Sequence, residues 1–152
     1  MEIEKVLIGK SASVSIQKDA LVSEGLAILQ EHRVRKIVVL DGDKFVGFFS
    51  LKGIIRNLLP KALTLLEEIP DMEFIHGDEA DVIERLGDLG NSSLADVVIE
   101  PPVFVTNETD LTEILRHLYV HDSPLPVIDK TTRGFLGLVT AQSMLEYLST
   151  RM

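Results

Sequence analysis

The sequence predicts an α+β fold: two copies of a β-α-β-β-α unit joined by a partly helical connector. Three observations carry that prediction. Residues 13–59 and 102–148 repeat one set of landmarks, so that Ile16, Leu29, Val39, Gly47 and Ser50 recur as Val105, Leu118, Val127, Gly137 and Thr140. The offset is 89 residues from Ile16 to His32, 88 at Val39 and Asp41 and 90 from Gly47 onward, which confines the length changes to two turns. Within each copy, alternating or aliphatic runs give way to apolar spacings of three, four and seven, the change of period that separates strand from helix.

Each copy opens on a strand. Val14 and Ile16 alternate with Ser13, Ser15 and Gln17, while Val103 and Val105 follow Pro101-Pro102, a pair that blocks helix and starts an extended segment. The helices that follow are marked by Val22, Leu26 and Leu29 and by Leu111, Ile114, Leu115 and Leu118. Asp19 and Thr109 stand where their N-caps are expected. A hairpin comes next. Ile37–Leu40 turns through Asp41-Gly42-Asp43 into Phe45–Phe49, and Pro126–Asp129 is answered by Gly134–Val139 through a turn two residues longer. Both hairpins run straight into a helix, expected over 51–59 and 141–150. The connector is long for a linker and shows helical stretches at 61–68 and 79–89, the second with an apolar stripe of Val82, Ile83, Leu86 and Leu89 that needs a surface to cover it. Residues 1–59 are thus the first repeat, 60–93 the connector and 94–152 the second repeat.

Bulk properties narrow the function. Hydrophobic residues make up 45% of 152 residues, with no Trp, so the core is aliphatic; no Cys is present, which excludes disulfides, thiolate metal sites and cysteine nucleophiles. No apolar run reaches the ~18 residues of a membrane span, and the first residues lack a signal peptide's pattern. A soluble, cytoplasmic protein without membrane insertion is expected. The net charge of −9 is unevenly placed: residues 1–60 sum to +2, 61–100 to −9 and 101–152 to −2. An acidic chain without a basic stripe is a poor nucleic-acid binder, because phosphate neutralisation supplies most of that affinity.

In order and in duplicate, these elements resemble a tandem pair of CBS domains, or Bateman module. The best-matching segments are Leu125-Pro126-Val127-Ile128-Asp129, Gly137-Leu138-Val139-Thr140 and Val97–Val103, and the likeness covers about two thirds of the chain, omitting the connector. It implies two repeats related by a pseudo-two-fold axis, a homodimer shaped as a flat disc, and clefts that bind AMP, ADP, ATP or S-adenosylmethionine. It also implies regulation of a partner protein, here unidentified, and no catalysis by the module itself.

The same resemblance nominates ligand contacts. Arg35, Lys36 and Ile37 in one copy and Pro124, Leu125 and Pro126 in the other form the segment that packs on adenine. The family's phosphate and ribose motif, Gly-x-x-Thr/Ser-x-x-Asp, maps onto Gly47, Ser50 and Gly53 and onto Gly137, Thr140 and Ser143, with Lys52 and Gln142 as neighbours. Both aspartates are missing. Since a carboxylate offers two acceptors to a vicinal diol, weak binding of AMP is expected. Lys10, Arg35, Lys36 and Lys52 are either phosphate contacts or ordinary surface cations, and Ser50 and Thr140 are ligand contacts, helix N-caps or both. His117 and His121 have the spacing of a metal pair but no evident third ligand, so no metal site is expected. No catalytic set or phosphate loop is found either. Two functions follow: a stand-alone regulatory module that senses an adenosine compound or related anion, or a ligand-free structural and protein-interaction module.

Overall fold

The computed structural model describes residues 3–9, 14–59, 79–97, 103–121 and 124–152. Lys10, the helix expected over 61–68 and the Pro101-Pro102 pair lie outside them. In chain order the elements are β1 (Ile8–Gly9), β2 (Ser15–Gln17), α1 (Val22–His32), β3 (Lys36–Asp41), β4 (Lys44–Ser50) and α2 (Leu51–Leu58). They continue as α3 (Glu79–Gly90), β5 (Val105–Thr106), α4 (Leu111–Val120), β6 (Leu125–Ile128), β7 (Phe135–Val139) and α5 (Ala141–Ser149). The α+β class and the duplicated β-α-β-β-α order are therefore present. Two sheets result, a three-stranded one in the order β2-β3-β4 and a four-stranded one in the order β1-β7-β6-β5.

Each repeat's first strand pairs parallel with its second, Ile16 opposite Val39 and Val105 opposite Val127. The intervening helix supplies the crossover that a parallel pair requires. The sequence does not announce the fourth strand of the larger sheet. Ile8 and Gly9 lie antiparallel to Leu138 and Gly137, so the chain's beginning adds an edge to the second repeat's sheet.

The chain divides into two compact units that cut across the repeats. The first takes its described residues from Met1–Gln17, Val38–Gly47 and Glu100–Met152. Its core gathers Ile3, Val6, Val105, Ile114, Leu125, Val127, Val139 and Met144, aliphatic as the composition requires. Two turns stiffen it. Gly42, at φ +62°, takes a conformation that most side chains resist, and its amide and carbonyl both bond to Gln17, at 2.9 and 3.1 Å. In the β6–β7 turn, Asp129 accepts from the amides of Thr132 (2.9 Å) and Thr131 (2.8 Å), which holds its carboxyl below the usual carboxylate range. The Phe135 amide donates to the Asp43 carbonyl at 2.7 Å, and the rings of Phe45 and Phe135 stack with centroids 6.2 Å apart.

The second unit takes its described residues from Lys18–Ile37 and Phe48–Ile99. Gly25 of α1 lies against the buried ring of Phe49 and the buried side chain of Leu94. The α3 helix packs against α1 and α2, and Arg85 Nη1 donates to the Leu58 carbonyl at 3.1 Å. Its apolar stripe is only half covered: Leu86 and Leu89 are partly buried, whereas Ile83 is 61% exposed.

Two capping expectations need correction. Neither Asp19 nor Thr109 caps a helix; the N-caps are Leu21 and Asp110, and neither side chain makes a capping bond. At α1 the first free amide, that of Val22, is instead satisfied by the Ser92 carbonyl at 2.9 Å, which comes from a turn next to the short 3-10 segment Leu94–Asp96. Thr109 Oγ1 accepts from the Thr106 amide at 2.9 Å, closing the turn before α4 rather than its first helical residues.

Candidate functional site

The first repeat's corner forms where β4 ends and α2 begins. Ser50 has extended backbone and its Oγ accepts from the Gly53 amide at 3.0 Å, the bond of an N-cap residue. The Leu51 amide donates to the Arg35 carbonyl at 2.9 Å, which joins the segment before β3 to the helix start. Arg35, Lys36, Ser50 and Gly53 are thereby brought together, with Lys52 exposed on the first turn of α2. Lys36 Nζ lies 4.6 Å from the centre of the Phe48 ring, a contact that restrains its ammonium. Ile37 is 1% exposed, so neither its side chain nor its backbone presents surface to a ligand. Gly53 is buried.

The second corner is built the same way and tied more tightly. Leu125 and Pro126 pair with Val139 and Leu138, which sets Pro124 beside the start of α5. Thr140 Oγ1 accepts from the Ser143 amide at 3.0 Å while Ser143 Oγ accepts from the Thr140 amide at 3.0 Å, a reciprocal capping box. Ser143 Oγ also donates to the Thr140 carbonyl at 3.1 Å. Its hydroxyl is thus committed to the helix end. Leu125 is part of the core and Pro126 is buried, leaving Pro124 half-exposed.

Losing one member of this box has a predictable effect. Thr140→Ala should destabilise the protein by about 1 kcal/mol, read as a lower midpoint in urea denaturation. A midpoint equal to that of the unaltered protein would mean that water caps α5 equally well.

Beside this corner runs a groove of about 450 Å³, lined by Lys5, Val6 and Leu7 on one side and by Ser143, Glu146, Tyr147 and Thr150 of the α5 region on the other. That volume falls in the range of small-molecule sites. Ser143 is the only one of these residues nominated from sequence. Glu146, Tyr147 and Thr150 follow it by three, four and seven, the spacing of one helix face, so periodicity along α5 points to them. Nothing local points to Lys5–Leu7, which arrive through the pairing of β1 with β7. Gln142 is exposed, and its Nε2 donates to Glu146 Oε1 at 3.0 Å.

The histidine pair sits elsewhere. The rings of His117 and His121 stack with centroids 5.8 Å apart, and His117 Nε2 is 3.8 Å from Glu113 Oε1. Among the described residues no group of three or more His, Cys, Asp or Glu is placed to hold a metal ion.

Comparison with known proteins adds to this geometry. The family model described as CBS domain matches residues 8–60 and 94–150. A solved structure of CbpB in complex with c-di-AMP superposes with a TM-score of 0.73 at 15% identity, over 99% of this chain and 85% of that one. CBSX2, a CBS-pair protein from Arabidopsis thaliana, gives 0.68 at 16% identity over 99% and 95%. A CBS domain pair/ACT domain protein from Thermotoga maritima gives 0.64 at 20% over 100% and 99%. No curated protein sequence matches significantly.

Proposed function

The chain belongs to the CBS domain family, with two copies in tandem, and from this premise we propose that it is a regulatory module that senses an adenosine-containing ligand and modulates a partner protein. The groove beside the Thr140 corner carries the reading. It offers a ligand-sized space next to the helix start where the family's motif falls, lined by Lys5, Val6 and Leu7 on one wall and by Ser143, Glu146, Tyr147 and Thr150 on the other. That CbpB is solved with c-di-AMP supports a nucleotide as the ligand class and adds c-di-AMP to AMP, ADP, ATP and S-adenosylmethionine as candidates. We place the protein in the cytoplasm as a homodimer that itself catalyses no reaction and binds neither nucleic acid nor membrane. No helix among the described residues is long and apolar enough to cross a membrane.

A second reading, a structural and dimerisation module without a ligand, is favoured by one observation: neither Gly53 nor Ser143 supplies the family's carboxylate. Thermal unfolding with each of the five candidates separates the two. A ligand at 100 times its dissociation constant adds about 2.7 kcal/mol of stability, so at least one compound should raise the melting temperature by several degrees. No shift with any of them at millimolar concentration would leave the structural module as the function.

A further inference from the structure

We propose that Glu146 is the group that holds a ligand's vicinal hydroxyls in the groove beside α5, with Lys5 facing the ligand's anionic part; this rests on the reading of the protein as a sensor of adenosine compounds. The groove's polar inventory leads to it. Ser143 Oγ donates to one Thr140 backbone atom and accepts from another. Thr150 Oγ1 donates to the Tyr147 carbonyl at 2.7 Å. Both hydroxyl protons are therefore used inside the protein, and each hydroxyl has at most a weak acceptor left for a ligand.

Glu146 is different. Its Oε1 accepts from Gln142 Nε2, which fixes the direction of the carboxylate, and its Oε2 makes no hydrogen bond among the described residues. It stands one helical turn beyond Ser143 and lines the same groove. An ionised carboxylate accepts through both oxygens and makes the stronger, charge-assisted bonds. The groove thus has a strong acceptor, displaced by a turn from the position whose side chain is spent on capping.

The other lining groups define what this acceptor receives. Lys5 brings an ammonium from the N-terminal segment, and Leu7 and the half-buried ring of Tyr147 provide apolar surface, with Val6 buried behind them. The Arg151 guanidinium lies 4.4 Å from the centre of that ring, adding a second cation at this end of α5. A flat apolar group, a pair of hydroxyl donors and an anion, held in one small molecule, describe a ribonucleoside phosphate. Its base lies along Leu7 and the Tyr147 ring, its diol meets Glu146 and its phosphate turns toward Lys5.

The test is calorimetric titration of the unaltered protein and of Glu146→Gln with AMP and with 2′,3′-dideoxyadenosine monophosphate, which lacks the diol. Asp88→Asn on α3 serves as a control for lost negative charge. Glu146→Gln should bind AMP at least tenfold more weakly, the dideoxy compound should bind both proteins equally, and Asp88→Asn should match the unaltered protein. Equal AMP affinity with and without the Glu146 carboxylate would overturn this assignment while the sensor reading stands. Preference of the unaltered protein for the dideoxy compound would overturn it too. Failure of AMP, ADP, ATP, S-adenosylmethionine and c-di-AMP alike to bind the unaltered protein would overturn both.

Discussion

Phe49→Ala is expected to cost about 3–5 kcal/mol, the range for deleting a fully buried aromatic side chain. Its ring is 1% exposed and fills the space that Gly25 leaves by having no side chain. A Cβ at position 25 would stand 2.6 Å from Phe49 Cε1, 2.9 Å from its Cδ1 and 3.4 Å from Leu94 Cδ2. The converse substitution, Gly25→Ala, is therefore also destabilising. Alanine gains about 1 kcal/mol over glycine in a helix, but overpacking a filled core costs about 1–3 kcal/mol, and a buried ring has no solvent into which to swing. The two changes should compensate in part when combined, because removing the ring empties the space that the new methyl invades. Urea denaturation of both single variants and the double variant measures this coupling. At about 2–4 °C per kcal/mol for a chain of this size, Phe49→Ala should melt roughly 6–20 °C lower. Simple additivity of the two changes would show that Gly25 and Phe49 do not share one space.

The other large effect concerns assembly. Ile55 of α2 is 58% exposed and Leu145 of α5 is 62% exposed. These positions are related by the same 90-residue offset that relates Gly47 to Gly137, so the two copies leave the same point of the same helix uncovered. Leu51 and Leu59, one turn to either side of Ile55, are 38% and 43% exposed and extend its stripe. Isolated apolar residues on a surface need no explanation, but the α2 stripe, with its central residue matched by Leu145 in the second copy, does. A second copy of the chain is the occupant we propose, since a two-fold dimer buries one patch against itself. Light scattering should report twice the chain mass of 16.9 kDa, and Ile55→Arg combined with Leu145→Arg should reduce it to one chain. A doubly substituted protein that remains dimeric would move the interface to other residues.

How much was readable in advance follows from the range of the forces involved. Helices and hairpins announce themselves through neighbours a few residues apart, so α1 and the first hairpin fall where Leu29 and the Asp41-Gly42 pair place them, and α2 and α5 follow the hairpins over 51–58 and 141–149 as expected. The N-cap of α1 is not announced this way, because the amide of Val22 is satisfied from Ser92, far along the chain. Helix α3 was expected with four covered apolar residues, and Leu86 and Leu89 alone are partly buried. A stripe states which side is apolar, not how much of it a neighbour reaches. At the candidate site, Ser50 and Thr140 both cap their helices, one of the two roles the sequence allows them together. The wall formed by Lys5–Leu7 was invisible, since two residues of strand give no period to read.

That short strand also has a bearing on how the chain acquires its structure. Ile8 and its partner Leu138 are 130 residues apart in the chain. The four-stranded sheet cannot close until the whole span between them is made, and pairings this distant in sequence form slowly because the intervening chain must first be brought to order. Until β7 is made, the β1 segment has no partner strand and offers itself to any passing one. Chains stalled before residue 138 should depend on chaperones more than their composition suggests, and swapping of the first strand between two molecules would be the natural misassembly.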